Sequence, residues 1–442
     1  MSRSIIIGKI IGLILRLFSS RGASALPGLI ALKLNPNLIR QLADKNRLQS
    51  IIITGTNGKT TTSRLLGAIL KANSTSYIHN RSGSNLMRGV ASTLIKQTNL
   101  SGRLNSSLAL WEIDEAVLLE AVKQLKPAFL LITNLFRDQL DRYGEIDTVL
   151  ASWQQAAKLV PAKSKLVLNI DDPSLNYLAQ SLNQSQSLVT YGLNQTYSNQ
   201  TALSHAADAV FCPQCGSDLN FSAIFTSHLG HYFCPHCRFK RLKPDFNLLN
   251  LIKDHTKLPG VHSKYNILAA ATLAQLLNIS RSSITTGLSQ FSPAFGRAEK
   301  FVLNSKPITI FLVKNPAGFN VTLQTLQSKH HLLTKPLLII LNDLIADGTD
   351  VSWIWDVDFE RLNKRQTPVV ISGLRAYDLA LRLKYAGVKP NLTHIYPNLE
   401  PALNHFSGLS GSQGYILPTY TAMLALRKIL TKRKLLGSSW KD

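Results

Sequence analysis

Apolar residues along this chain fall into short runs separated by stretches of helical spacing. Leu48 to Thr54 is a run buried enough for a central strand, and Lys59 to Lys71 then repeats at helical intervals. The alternation continues with a strand over Ser107 to Ile113, a helix over Asp114 to Leu125, and strands over Phe129 to Thr133 and Leu166 to Ile170. Continuous apolar strands alternating with helices predict a parallel, doubly wound α/β sheet, whose ligands bind at the carboxyl ends of the strands. Residues 205–243 break the rhythm with cysteines, histidines and turn residues, and read as an insertion. A helix over Tyr265 to Leu277 resumes the pattern. Past a boundary near Ser292-Pro293, strands at Ile308 to Val313, Pro336 to Asn342 and Val369 to Ser372 predict a second α/β unit. The division expected is an N-terminal helical segment over 1–46, a main domain over 47–292 with the insertion inside it, and a smaller C-terminal α/β domain over 293–442.

A length of 442 residues agrees with more than one core, and 45% hydrophobic with 17% charged residues excludes a disordered chain. The formal net charge of +24 points to an anionic partner: nucleic acid, a membrane surface, a phosphorylated substrate or an acidic protein. Charge also colours the N-terminus. Ile5 to Phe18 is apolar and Ala23-Ser24-Ala25 resembles a cleavage site, but Lys9 and Arg16 interrupt a run of only fourteen residues, too short to span a bilayer. Arg3, Lys9, Arg16, Arg21, Lys33 and Arg40 all precede the first acid, Asp44. Two readings stand: a basic amphipathic helix on an anionic membrane surface, or a helix packed on the protein's own core.

The candidate chemistry begins at Ile51-Ile52-Ile53-Thr54-Gly55-Thr56-Asn57-Gly58-Lys59-Thr60-Thr61-Thr62. A glycine-rich turn between a strand and a helix directs backbone N–H groups at phosphate, and the helix N-terminus adds a favourable dipole. Lys59 is placed for the β- and γ-phosphates of ATP, and Thr60 for magnesium. Ile53 stands where the common pattern has its first glycine, so this loop is shorter. Two later strand ends carry acids: Trp111-Glu112-Ile113-Asp114-Glu115, where Glu112 can hold magnesium, and Thr133-Asn134 through Asp138 and Asp141.

All four cysteines lie in Cys212-Pro213-Gln214-Cys215 and Cys234-Pro235-His236-Cys237, eighteen residues apart. Such paired knuckles suit a tetrahedral zinc ion with no open position, hence a structural site in a reducing compartment. His228, His231 and His236 read as surface residues. A zinc ribbon on a basic chain also raises nucleic acid, but no basic-aromatic surface for stacking bases follows Phe233, Phe239 and Lys240, and none is expected to bind.

The loop from Thr54 to Thr61 and the Thr133-Asn134 segment resemble the Mur ligase superfamily. With Asn134 through Asp147, the cysteine insertion, Lys314-Asn315-Pro316-Ala317-Gly318 and Asp347-Gly348-Thr349-Asp350-Val351-Ser352-Trp353, the resemblance narrows to its MurT branch, the ligase-like subunits of lipid II isoglutaminyl synthases. It implies a Mur ligase-like P-loop ATPase domain carrying a zinc ribbon, followed by a smaller α/β domain. The implied reaction is ATP-dependent amidation of the α-carboxylate of D-glutamate in the lipid II stem peptide, through an acyl-phosphate, to D-isoglutamine. Ammonia would come from a GatD-like glutaminase subunit, and the work would be cytoplasmic, at the inner face of the membrane. By the same resemblance Gly55, Thr56, Asn57, Gly58, Lys59, Thr60 and Thr61 hold the nucleotide, Glu112 and Thr60 hold magnesium, and Lys59 and Glu112 are catalytic. Asn266 stands near the adenine, Arg297 meets the nucleotide on domain closure, and Lys314 and Asn315 line the far side of the cleft. Asp350 completes a Cys-His-Asp arrangement in the partner. Gln139 replaces a histidine common in Mur ligases, and His262-Ser263 replaces the usual pair near the adenine. About fifty residues precede the loop, too few for a uridine-nucleotide domain, which favours a lipid-linked substrate. The alternatives are a Mur- or folylpolyglutamate-type ligase that adds an amino acid, and a zinc-containing ATPase that binds nucleic acid.

Overall fold

The computed structural model describes residues 2–18, 25–80, 84–138, 145–182, 187–194, 202–247, 260–291 and 297–437, excepting the side chains of 2, 16–18 and 297. Three helices come first: α1 (Ser2–Phe18), α2 (Leu26–Leu34) and α3 (Leu38–Lys45). A six-stranded sheet follows, built in chain order from β1 (Gln49–Thr54), α4 (Lys59–Ala72), β2 (Ile78–His79), α5 (Met87–Gln97), β3 (Leu108–Glu112), α6 (Leu118–Leu125) and β4 (Phe129–Ile132). It continues through α7 (Ile146–Lys158), β5 (Lys165–Asn169), α8 (Pro173–Ser181) and β6 (Ser187–Tyr191). The strand order is β2-β3-β1-β4-β5-β6, every pair parallel.

Ile51, Ile52 and Ile53 are fully buried because β1 is covered on both faces. Ile52 joins Ala109, Trp111, Leu130 and Ile132 beneath α5, α6 and α7, while Ile51 and Ile53 join Leu110 and Leu131 beneath α4. Each such isoleucine contributes about 2–3 kcal/mol by leaving water. The sheet order reverses at β1: β3 lies on one side and β4 on the other. The crevice at the ends of these strands is the ligand position of a doubly wound sheet.

The predicted insertion contains the antiparallel hairpin β7 (Asn220–Thr226) and β8 (Leu229–Phe233), with the cysteines at its base. Helices α9 (Val261–Leu276) and α10 (Arg281–Ser289) then return to cover α4. The second sheet runs through β9 (Arg297–Leu303), β10 (Lys306–Phe311), α11 (Pro316–Ser328), β11 (Leu337–Ile340) and β12 (Val369–Ser372). It ends with α12 (Ala376–Tyr385), β13 (Thr393–Ile395), α13 (Leu399–Gly408), β14 (Gly414–Pro418) and α14 (Tyr420–Lys432). Its order is β13-β12-β11-β14-β10-β9, parallel except for β9 against β10. The helix expected over Asp114 to Leu125 starts instead with a 3-10 turn, Glu115–Val117, because Asp114 Oδ1 accepts from Ala116 N at 3.3 Å and holds the chain in a tight entry.

Candidate active site

The loop after β1 folds against the segment after β4. Asn57 N donates to Asn134 Oδ1 at 2.9 Å, Asn134 Nδ2 returns a bond to Asn57 O at 3.1 Å, and Thr133 Oγ1 donates to Asn57 O at 2.7 Å. Gly55 has φ +123°, and a Cβ there would lie 2.2 Å from Thr133 Oγ1. Gly58, at φ +90°, is the N-cap of α4, and a Cβ there would lie 2.2 Å from Asn266 Oδ1. Both positions require glycine. Thr62 Oγ1 also donates to Asn266 Oδ1 at 3.3 Å, so Asn266 on α9 lies against the glycine turn itself. Thr56 uses its hydroxyl to exchange bonds with Phe136, donating to its O at 3.1 Å and accepting from its N at 3.0 Å.

Thr60 Oγ1 donates to Glu112 Oε1 at 2.6 Å. The parallel register of β1 and β3, with Ile53 opposite Glu112, brings this pair together at the loop. A hydroxyl and a carboxylate at a helix start form an oxygen donor set that fits magnesium. Lys59 is almost fully buried; its Nζ donates to Gly55 O at 2.5 Å and to Glu115 Oε2 at 2.6 Å. From the second domain, Lys314 pairs with the buried Asp138, and Asn315 Nδ2 donates to Asn57 Oδ1 at 3.1 Å. Asn315 also caps α11, accepting from Gly318 N at 2.8 Å, so one side chain starts a helix and touches the loop across the cleft.

Four charges therefore share the cleft. Burial alone would raise the Glu115 carboxyl, but Lys59 and then Lys314 outweigh it and hold its pKa below the ordinary value. Burial pushes Asp138 above its ordinary value, with Lys314 opposing and Glu115 adding to the rise. Burial works against the charge on Lys314, yet Asp138 and Glu115 keep its pKa above the usual lysine value. Glu115 and Asp138 lie inside the two strand-end motifs, but the sequence alone assigns neither a role in the site. The signal available was their place after two successive strands, in a chain with few acids.

Other expected residues fall elsewhere. Asp350 is exposed, more than two hundred positions along the chain from the loop, and its carboxylate accepts from Ser352 N and Ser352 Oγ at 2.8 Å each. The neighbouring acids are not one cluster: Asp347 accepts from Thr421, Asp356 pairs with Arg137 at 3.3 Å, and Asp358 accepts from His205 N at 3.1 Å. Arg297 opens β9, its side chain outside the described residues, as are Gln139, Asp141 and the Ser292-Pro293 boundary. His228 corrects an expectation. It is fully buried, not a surface residue, because the hairpin turn packs its ring against Phe136, centroids 4.4 Å apart, where its Nδ1 accepts from Asp208 N at 3.1 Å.

The sulfurs of Cys212, Cys215, Cys234 and Cys237 all lie within 4.8 Å of one another, with the Cys212–Cys237 and Cys215–Cys234 pairs at 3.5 Å. A tetrahedral zinc with bonds of about 2.3 Å places its sulfurs about 3.8 Å apart, so these four fit. Matching turns hold them: Cys212 N donates to Ser217 O and Cys234 N to Phe239 O, each at 2.7 Å.

Two α/β units in this order, the glycine turn of one facing a lysine and an asparagine of the other, define a Mur-type ligase. Residues 53–274 match the Mur ligase middle domain, and residues 312–423 match the MurT ligase C-terminal family. The chain is 36% identical over 388 residues, 85% of each sequence, to the lipid II isoglutaminyl synthase (glutamine-hydrolyzing) subunit MurT of Staphylococcus aureus. It is 32% identical over 427 residues, 93% of each, to the subunit of that name from Streptococcus pneumoniae. The chain belongs to the MurT family. In fold it is similar to a pseudomurein peptide ligase type C from Methanothermus fervidus, with TM-score 0.65 and 24% identity over 89% of this chain and 80% of that one. It is also similar to the folylpolyglutamate synthase of Mycobacterium tuberculosis, with TM-score 0.56 and 16% identity over 92% and 98% of the two chains.

Removing Glu115 strands Lys59 as a buried charge, at a cost of about 3–5 kcal/mol. Glu115→Ala should lower the urea midpoint accordingly, and ATP with magnesium should restore part of the loss, since phosphate can replace the carboxylate. An unchanged midpoint would mean that Lys59 does not depend on this partner.

Proposed function

We propose that this chain is the ATP-using subunit of a lipid II isoglutaminyl synthase, amidating the α-carboxylate of D-glutamate in the stem peptide to D-isoglutamine. The observation that carries this reading is the cleft. Lys59 and the Thr60–Glu112 pair from the first domain meet Lys314 and Asn315 from the second, on a chain similar over most of its length to two subunits of that name.

A carboxylate oxygen is a poor leaving group, and ATP supplies the phosphoryl group that makes it a good one. The carboxylate oxygen bonds to the γ-phosphorus as the bond to ADP breaks, giving an acyl-phosphate. Ammonia then bonds to the carbonyl carbon, phosphate leaves, and the surplus proton passes to solvent. Lys59, with its helix N-terminus, neutralises charge on the transferring phosphoryl group. Thr60 and Glu112 would hold magnesium, whose positive charge would offset that of the transferring phosphoryl group. Closure of the second domain brings Lys314 and Asn315 to the same loop and excludes water, which would otherwise hydrolyse the acyl-phosphate.

The four cysteines are assigned to structural zinc, so the thiol that releases ammonia from glutamine belongs to a GatD-like partner. Asp350 is exposed and held by Ser352, ready to orient a histidine across an interface. Five residues on, the second domain exposes Trp355, and α12 exposes Tyr377 and Tyr385. The Trp355 and Tyr385 rings lie 5.6 Å apart, and the Arg382 guanidinium is 5.5 Å from the centre of the Trp355 ring. Arg382 itself is buried behind the ring, and exposed tryptophan and tyrosine are among the residues that dominate the binding energy of protein interfaces.

Incubated with ATP, magnesium, lipid II and ammonia, the protein should convert the stem peptide to a product carrying amine in place of one hydroxyl, read by mass spectrometry. Incorporation of an amino acid instead would favour the amino-acid ligases that share the fold. Asp350→Asn should reduce glutamine-dependent amidation by roughly 10³–10⁴-fold and leave ammonia-dependent amidation intact; equal loss of both would end the interface role. For zinc, one ion per chain is expected by elemental analysis, and Cys234→Ser should lose the metal and lower the melting temperature. Full stability without metal would refute a structural ion.

A further inference from the structure

The first helix is apolar on both sides. Its inner face, with Ile5 and Gly8, is buried on α5, and a Cβ at Gly8 would come within 2.9 Å of Ile95 Cδ1. At about 100° per residue, Ile6, Ile7, Ile10, Leu13 and Ile14 fall on the opposite side, and there they are 37% to 59% exposed. A helix apolar all round belongs inside a protein or against lipid, and among the described residues none covers the outer side of α1. Helix α2 extends the patch with Leu29 and Leu34, exposed by 36% and 55%.

The composition of this patch selects its occupant. Among the described side chains every large apolar one on it is aliphatic, whereas protein interfaces draw on tryptophan and tyrosine, as the exposed face around Trp355 does. Arg3 and Lys33 are exposed at its margins, Lys9 flanks it half-buried, and no acid occurs before Asp44. Aliphatic residues bordered by cations match the acyl and headgroup layers of an anionic bilayer. None of the described helices is long and apolar enough to cross a membrane.

The patch is also tied to the cleft. Gly28 of α2 lies on the first turns of α5, where a Cβ would come within 2.0 Å of Arg88 O, and Gly28 N donates to Ser92 Oγ at 2.8 Å. Just before α5, Asn80 Nδ2 donates to Glu112 O at 2.8 Å and Asn85 Nδ2 to Asp114 Oδ2 at 3.0 Å. One helix thus separates the exposed aliphatic face from the carboxylates at the end of β3.

We propose that α1 and α2 form an interfacial seat for an anionic lipid bilayer, lying in the headgroup plane with Ile10 and Leu13 toward the acyl chains, and that this seat fixes the cleft beside the membrane. The assignment does not depend on which carboxylate is amidated. It is tested by floating the full-length protein with vesicles of phosphatidylcholine alone or mixed with phosphatidylglycerol. The expected result is flotation with the mixed vesicles, at least tenfold less with phosphatidylcholine, and less again in high salt. Ile10→Glu with Leu13→Glu should abolish flotation while leaving the melting temperature and ATP binding unchanged. The proposal is overturned if the wild-type protein does not float, if it floats equally with both lipids, or if the double variant still floats. It is also overturned if sedimentation without lipid shows a wild-type dimer and a monomeric variant, for then a second copy covers the face.

Discussion

Charge compensation around the phosphate loop is the constraint from which the arrangement of the two domains follows. Lys59 is buried by the fold of the loop, and a buried ammonium must be paired. Glu115 supplies the pair, but it brings a negative charge close to Asp138, which is also buried. The first domain alone would hold two carboxylates against one lysine. Lys314, carried on the turn between β10 and α11, balances the count. The contact with the second domain is therefore also what pairs Asp138. A charged triphosphate entering the cleft would change the same sum, and so would bear on how the domains meet.

The segment from Thr133 to Asp138 transmits this to the rest of the molecule. Asn169 Nδ2 donates to Thr133 O at 3.0 Å, and Asp172 Oδ2 accepts from Leu135 N at 2.7 Å. Arg137 N donates to Asp208 at 2.9 Å, and its guanidinium reaches Asp356 of the second domain at 3.3 Å. Asp208 in turn is held by His228, and the hairpin is fastened to the sheet through Asp171, which accepts from Arg241 at 2.6 Å and from Tyr265 at 2.7 Å. Through Asp208 and His228 the hairpin that carries the cysteines helps to position the segment that grips the loop. An ion held by the four cysteines would act on the loop through position alone.

What the sequence disclosed was local. Ile51 to Ile53 before two glycines marked strand and turn because burial on both faces leaves no polar position in β1. The cysteines were legible because four ligands at short spacing carry their geometry with them. The pairing of Lys59 with Glu115 was not legible, since it depends on β3 lying beside β1 and on the 3-10 turn that aims Glu115 inward. His228 looked like one more polar residue in an insertion; only the tertiary fold buries it. The second-domain acids looked like one cluster because they are close in sequence. Asp347, Asp356 and Asp358 are spent on Thr421, Arg137 and His205, leaving Asp350 outward.

That spending also changes the meaning of the net charge. The chain has 25 acidic residues against 49 basic ones. Several of the acids are consumed inside: Glu115 by Lys59, Asp138 by Lys314, Asp171 by Arg241, and Asp208 by Arg137. Some arginines are internal as well, but Arg365 shows how they can be held without an acid: its guanidinium donates to the carbonyls of Leu332, Lys335, Thr367 and Pro368. Internal pairing removes the scarcer sign from the surface in larger proportion than the commoner one. The outward field is thus more one-sided than the ratio of acids to bases suggests, and it favours approach to phosphate-bearing surfaces and substrates. Within that field, the aliphatic face of α1 and the aromatic face around Trp355 are distinct in chemistry, so charge can bring the protein to an anionic surface while apolar shape decides which side meets it.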